Sequence, residues 1–220
     1  MKVRDRMSEN VKTVTMDTSI NEAFSLMKEN NIRRLPVVEK SKLVGIITLS
    51  DLNRASPSSA TSLSIHELNY LLAKTEIKDI VPKKQQVITV GPDNYIETAA
   101  KLMRSNRISA LPVLDQDRLV GIVTETDIFD ALIDILGVKK THSRIDLYTS
   151  DRPGTIAAIT GMIAAQGKNI LNTVVYFDAK KDQYKMIVRL EELDCEDVVE
   201  ALKKLGYEVE SVIISSDTMP

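Results

Sequence analysis

Gly45-Ile46-Ile47-Thr48-Leu49-Ser50-Asp51 recurs 76 positions later as Gly121-Ile122-Val123-Thr124-Glu125-Thr126-Asp127. The same displacement carries Leu35-Pro36-Val37 onto Leu111-Pro112-Val113, Met27 onto Met103, Ala23 onto Ala99, Ile20 onto Ile96 and Asp17 onto Asp93. Farther upstream the copies slip by two residues, so that Met7 pairs with Val81. A collinear series over about fifty residues means two copies of one structural unit.

Working outward from the quoted stretch, each copy shows the same order of elements. Residues 11–15 (Val-Lys-Thr-Val-Thr) alternate as a short strand. Asp17-Thr18-Ser19 supplies polar N-cap candidates, and Ile20, Ala23, Phe24 and Met27 then fall on one helix face. Leu35–Val38 and Leu43–Ile47 are apolar, β-branched runs that predict strands, and a second helix is expected after Thr48. The second copy repeats this through residues 87–136. The order β-α-β-β-α places the chain in the α+β or α/β class. Between the copies, Ser56-Pro57-Ser58-Ser59-Ala60-Thr61-Ser62 predicts a loop. Ile65, Leu68, Leu71 and Leu72 then predict an amphipathic linker helix that packs on the pair. A second boundary is expected at Gly137–Ser143. The expected division is 1–58 and 77–137 for the copies, 59–76 for the linker, and 144–220 for a further domain.

The repeated motif has its own chemistry. A carboxylate in the first turn of a helix is stabilised by the helix dipole, and it accepts hydrogen bonds from two adjacent hydroxyls such as a ribose edge. Hydroxyls and backbone N–H groups at a strand-to-helix junction suit a phosphate. The alternative is that Asp51 and Asp127 only cap their helices, a role contributing about 0.5–2 kcal/mol each. Arg33 and Arg34 precede Leu35, whereas Ser109 and Ala110 precede Leu111. A guanidinium matches phosphate with a fixed fork of donors. Either arginine is alternatively a solvated strand-edge charge.

Leu-Pro-Val followed by Gly-h-h-Thr-x-[Ser/Thr]-Asp (h being apolar), present twice, resembles a CBS-domain pair, or Bateman module, over residues 1–137. The resemblance implies an adenine-nucleotide site: the cleft that receives Arg33 or Arg34 is expected to prefer a charged nucleotide, and the other to be weak, empty or selective for a less charged adenosyl ligand. At the site Asp51 and Asp127 meet ribose, and Thr48, Ser50, Thr124 and Thr126 meet phosphate or ribose. Lys12-Thr13 and Ile88-Thr89 line the adenine, with Ile32 and Ile108 beside it, and Ser109 occupies the place of the basic residue in the second copy.

Residues 144–215 read differently. A strand at Arg144–Tyr148 is followed by Asp151-Arg152-Pro153-Gly154-Thr155-Ile156 and a helix through Ala165. Gly167-Lys168-Asn169-Ile170 opens a strand toward Phe177, a turn at Ala179–Asp182 leads to Tyr184–Leu190, and a helix from Cys195 to Leu205 ends at Gly206 before a last strand. This βαββαβ order, ferredoxin-like, is similar to an ACT domain. The resemblance implies an amino-acid site at Asp151, Arg152, Gly154, Thr155, Asn169 and Ile170. Pro153 suits a first helical turn, and Gly154 leaves the following amides open to a carboxylate. The same Pro-Gly and Gly-Asn pairs are also ordinary turn formers. The order CBS, CBS, ACT resembles the bacterial acetoin-utilisation CBS–ACT proteins, which implies regulation rather than a defined reaction.

Composition narrows the function. The chain has 220 residues with 29 basic and 31 acidic side chains, so it lacks the basic excess that nucleic-acid binding needs. Its single cysteine excludes an internal disulfide and a cysteine zinc cluster, and no metal site is expected. No apolar run suits a membrane span or a signal peptide, so a cytoplasmic protein is expected. His66 and His142 lie near no nucleophile motif, and no Walker loop, nucleophile elbow or zincin motif is present. The expectation is a non-enzymatic homodimeric sensor without a catalytic cofactor. It binds an adenine nucleotide (AMP, ADP, ATP or an adenosyl compound), with an amino acid as a second ligand, and signals to a regulated protein. The alternatives are a constitutive dimerisation scaffold with degenerate pockets and a small hydrolase or transferase acting on its bound nucleotide.

Overall fold

The structure, a computed structural model, describes residues 1–56, 64–82, 85–138 and 141–215. The first copy opens with helix α1 (Ile20–Glu29), started by a reciprocal capping box in which the Ser19 hydroxyl accepts from Glu22 N and Glu22 accepts from Ser19 N. Its apolar face buries Ile20, Ala23 and Met27. Strands β1 (Arg34–Glu39) and β2 (Lys42–Thr48) form an antiparallel hairpin, and α2 (Leu49–Ala55) follows directly. The connection contains α3 (Ile65–Lys74) and the short α4 (Ile77–Ile80). Leu72 of α3 packs against the first core. Of the loop expected at 56–62, Ser56 is the C-cap of α2 and residues 57–62 lie outside the described residues.

The second copy repeats the plan: α5 (Ile96–Asn106), hairpin β3 (Ala110–Asp115) with β4 (Arg118–Thr124), and α6 (Glu125–Leu136). The duplication extends to backbone detail. Both hairpins turn on two residues of positive φ, Lys40-Ser41 and Gln116-Asp117, and both carry a bulge at the matched step, Val37/Val38 and Val113/Leu114. Leu35, Val37, Ile47 and Leu52 close over α1 in one core, while Ala99, Met103, Leu111, Val113 and Val123 are the buried counterparts.

The strand expected at 11–15 is a correction: only Val14 joins β1, in a single parallel bridge to Val37, and Val90 does the same with Val113. Val14 N donates to Pro36 O and Val38 N to Val14 O. A turn then diverts the chain at once, with Thr18 N donating to Thr15 O and Thr15 N to Thr18 Oγ1. Each unit is thus α-β-β-α with a one-residue bridge in place of its first strand.

The chain divides into two compact units, Met1–Phe129 and Asp130–Pro220. In the second, β5 (His142–Thr149), α7 (Thr155–Ala165), β6 (Ile170–Asp178), β7 (Gln183–Leu190), α8 (Glu196–Lys204) and β8 (Glu208–Ser215) follow the expected βαββαβ order. The four antiparallel strands are arranged β6-β7-β5-β8. Ile145, Leu147, Met186, Val188 and Leu190 face Ile159, Ile163, Val198 and Leu202 of the two helices. The boundary expected at Gly137–Ser143 is too long. His142 and Ser143 already belong to β5 and are buried, and Ser143 Oγ donates to Glu192 O. Pro153 also lies ahead of its helix rather than in the first turn, because Gly154, in the left-handed region at φ 90°, holds the N-cap position. Among the described residues, no helix is long and apolar enough to cross a membrane.

Candidate functional site

The repeated loops build a defined junction. Thr48, at the end of β2, is the N-cap of α2, and its hydroxyl donates to Asp51 Oδ2 at 2.6 Å and accepts from Asp51 N at 3.2 Å. Thr48 N also donates to Asp51 Oδ2. Thr124 N and Oγ1 donate in the same way to Asp127 Oδ2, both at 2.7 Å. The aspartates are therefore not themselves the N-caps considered from the sequence: Asp51 is the third residue of α2 and answers the Thr48 cap, and Asp127, third in α6, accepts from Thr124. The consequence for chemistry is direct. The threonine proton is committed to the carboxylate, so neither threonine hydroxyl donates to a phosphate while the box is closed. Oδ1 of each aspartate accepts no hydrogen bond from the described residues.

One cleft of about 790 Å³ gathers much of the expected site. Lys12, Ile32, Arg33 and Arg34 line it from the first copy, and Ser109, Thr124, Thr126 and Asp127 from the second. The first residue of each helix ties back to the residue ahead of the hairpin: Leu49 N donates to Arg33 O, and Glu125 N to Ser109 O. Arg34 Nη2 donates to Ser109 Oγ, which ties the two copies together at the cleft. The cleft also takes in Ser8, Asn10, Val11, Asn30, Asn31, Ile122 and Glu125, which the sequence reading did not single out. Of these, Ile122 and Glu125 stand inside the repeated motif and Val11 inside the run read as a strand, and Glu125 is set apart because the first copy has Leu49 there.

Thr13, Thr48, Ser50, Asp51, Ile88, Thr89 and Ile108 do not line this cleft. The outer edges of β2 and β4 are paired differently. Ser8 pairs with Ile122 of β4 through backbone bonds of 2.9 and 3.0 Å. At the matched position Ile46 of β2, the side-chain amide of Gln85 makes both bonds instead, at 2.8 and 3.2 Å. A carboxamide thus stands in for a strand, and the two halves are not equivalent.

In the second unit, Asp151, Arg152, Gly154 and Thr155 occupy the β5–α7 connection, with Thr155 N donating to Arg152 O. Asn169 is engaged elsewhere: its side-chain amide donates to Glu191 and its backbone N–H to Glu192, just before Ile170 begins β6. A cluster of ion pairs in this unit joins β5, β7 and β8, where Lys185 also pairs with Glu210. Arg144 holds Asp146 with two bonds of 2.6 and 2.8 Å, and Lys185 reaches the same carboxylate at 3.4 Å. Burial pushes the Asp146 carboxyl up, but Arg144 and then Lys185 outweigh it, and the net shift is downward. Among the described residues, no group of three or more His, Cys, Asp or Glu side chains is placed to hold a metal.

Comparison with known proteins agrees with the duplicated unit. The CBS domain family matches twice, over residues 3–58 and 77–134, together more than half the chain. A CBS domain-containing protein of Dictyostelium discoideum is 36% identical over 136 residues, covering 61% of this chain and 92% of the relative. A solved structure from Vibrio cholerae, of a protein named for acetoin utilization (AcuB), is 29% identical with a TM-score of 0.51, covering 63% of this chain and 94% of the other. The CBS domain pair of protein MJ0100, solved with 5′-methylthioadenosine and S-adenosyl-L-methionine, is 33% identical with a TM-score of 0.50, covering 64% and 98%. The chain, through residues 3–58 and 77–134, belongs to the CBS domain family.

Proposed function

We propose that the CBS pair is a non-enzymatic sensor of an adenine nucleotide or adenosyl compound, bound in the cleft that joins the two copies. The observation that carries this reading is the composition of that cleft. It unites an apolar wall at Val11 and Ile32, cations at Lys12, Arg33 and Arg34, and the Asp127 carboxylate with one oxygen unengaged. An adenine fits the first, an anionic group the second and a ribose diol the third. The ligands of the MJ0100 pair support an adenosyl class. Binding signals to a partner protein only through different affinities for two states of the sensor. In this reading Thr13, Asp51, Thr48, Ser50, Ile88, Thr89 and Ile108 form a second half-site. The proposed division keeps 1–58 and 77–137 as the CBS copies, 59–76 as the linker and 144–220 as an ACT domain. Its amino-acid site is at the Asp151–Thr155 connection. An acetoin-related regulatory role and a cytoplasmic location belong to the same proposal.

Thermal unfolding with adenine ligands tests the sensor reading. A bound ligand at 100 times its dissociation constant adds about 2.7 kcal/mol of stability. Absence of a shift with any adenosyl compound would instead favour a constitutive dimerising scaffold. That alternative has its own supporting observation: α6 exposes Phe129, Leu132 and Ile133 at helical spacing, an apolar stripe suited to a second copy. We propose a homodimer under either reading.

A further inference from the structure

The two walls of the cleft carry opposite charge. Lys12, Arg33 and Arg34 all come from the first copy, and Glu125 and Asp127 both come from the second. Among the described residues, no ion pair joins the walls. Asp127 is explained by the two bonds it accepts from Thr124 and by a ribose diol. Glu125 is explained by neither. Its backbone N–H is fixed to Ser109 O, its side chain is exposed, and the matched residue of the first copy is Leu49, which packs on the core. A nucleoside phosphate would satisfy Arg33 and Asp127, yet it would bring its own negative charge into the space that Glu125 borders. An acid there lowers affinity for such a ligand. An S-adenosyl amino acid answers both walls: its carboxylate meets the arginine wall, its diol meets Asp127, and its sulfonium meets Glu125.

We propose that Glu125 is a specificity-determining residue that makes this cleft select an adenosyl ligand bearing both a carboxylate and a cationic group, of the S-adenosyl amino-acid class, over adenosine phosphates. This inference rests on the adenosyl-sensor reading above. Titration calorimetry of the full chain with S-adenosylmethionine, AMP and adenosine tests it, using wild type, Glu125→Gln and Glu125→Leu. Leucine is the first copy's own residue at that place, so the second variant checks that the effect follows the charge. The expected result is tighter binding of S-adenosylmethionine than of AMP by wild type. Both variants are expected to weaken S-adenosylmethionine about tenfold, as loss of one charge-assisted contact does, and to tighten AMP. Equal losses for both ligands, or no change for either, would overturn the selectivity. So would ATP binding that requires Mg²⁺ and loses that requirement in Glu125→Gln, which would make the residue a metal contact. If wild type binds none of the adenosyl compounds, the sensor reading itself fails, and that outcome is distinct from the others.

Discussion

The duplicated aspartates look alike in sequence, but only one of them lines the cleft. Asp127 does so and Asp51 does not, although both accept the same threonine cap. Replacing either by alanine removes a capping partner and is expected to cost about 1 kcal/mol of stability. Asp127→Ala should in addition weaken adenosyl-ligand binding by about 1–3 kcal/mol, whereas Asp51→Ala should leave that affinity within error. Calorimetry on both variants decides this, and equal losses would show that the cleft is assigned to the wrong copy. The arginines give a second residue-scale test. Arg33→Ala with Arg34→Ala is expected to reduce affinity for a ligand with an anionic group more than affinity for adenosine. Equal losses in a binding assay would remove the anion-binding role. The sequence showed these side chains but not their pairing. Which copy's arginines face which copy's aspartate depends on how two distant segments meet, and no local pattern encodes that.

At the scale of elements, the cleft depends on the N-terminal segment lying against β4. A Cβ on Gly121 would stand 2.5 Å from Met7 Sδ and 3.2 Å from Ser8 O. The Met7 side chain has freedom to move, but the Ser8 backbone is fixed by its bridge to Ile122. Gly121→Ala is therefore expected to destabilise the first unit by about 1–3 kcal/mol and to weaken ligand binding, because Ser8 lines the cleft. Chemical denaturation together with ligand titration measures both effects. The Gln85 amide makes a parallel prediction. Gln85→Ala leaves Ile46 N and O without their partner and should lower stability by about 1–3 kcal/mol, read by thermal unfolding. Most elements were legible from period and capping residues, including α1 from Ser19 and β2 from its β-branched run. The two-residue turns were not, because Lys40-Ser41 and Gln116-Asp117 adopt positive φ without the Asn-Gly signature such turns usually show. The strand expected at 11–15 failed because alternation records which side chains face inward, while a strand also needs a backbone partner along its length.

For the molecule as a whole, the two units have different electrostatic character. The ion pairs around Asp146 belong to the second unit, where the carboxylate is nearly buried. Its folded pKa lies below the unfolded value of about 3.9, so its contribution is complete above about pH 4 and is lost as pH falls through the depressed folded value. Acid unfolding of wild type should therefore be steeper below pH 4 than that of Asp146→Asn. Equal slopes followed by circular dichroism would mean that the pair adds nothing to folding. The sequence by itself determined that the chain carries a duplicated unit followed by a βαββαβ segment, because repetition and side-chain periodicity are properties of the chain order. It also determined which residue types were available for a ligand. Only the tertiary structure decided that Lys12, Ile32, Arg33 and Arg34 share one cleft with Thr126 and Asp127. It alone placed Glu125 among them and left the first copy's aspartate outside. The physical reason is that hydrogen bonds within a copy follow from local sequence, whereas the opposition of charges across a cleft is set by the packing of segments some ninety residues apart.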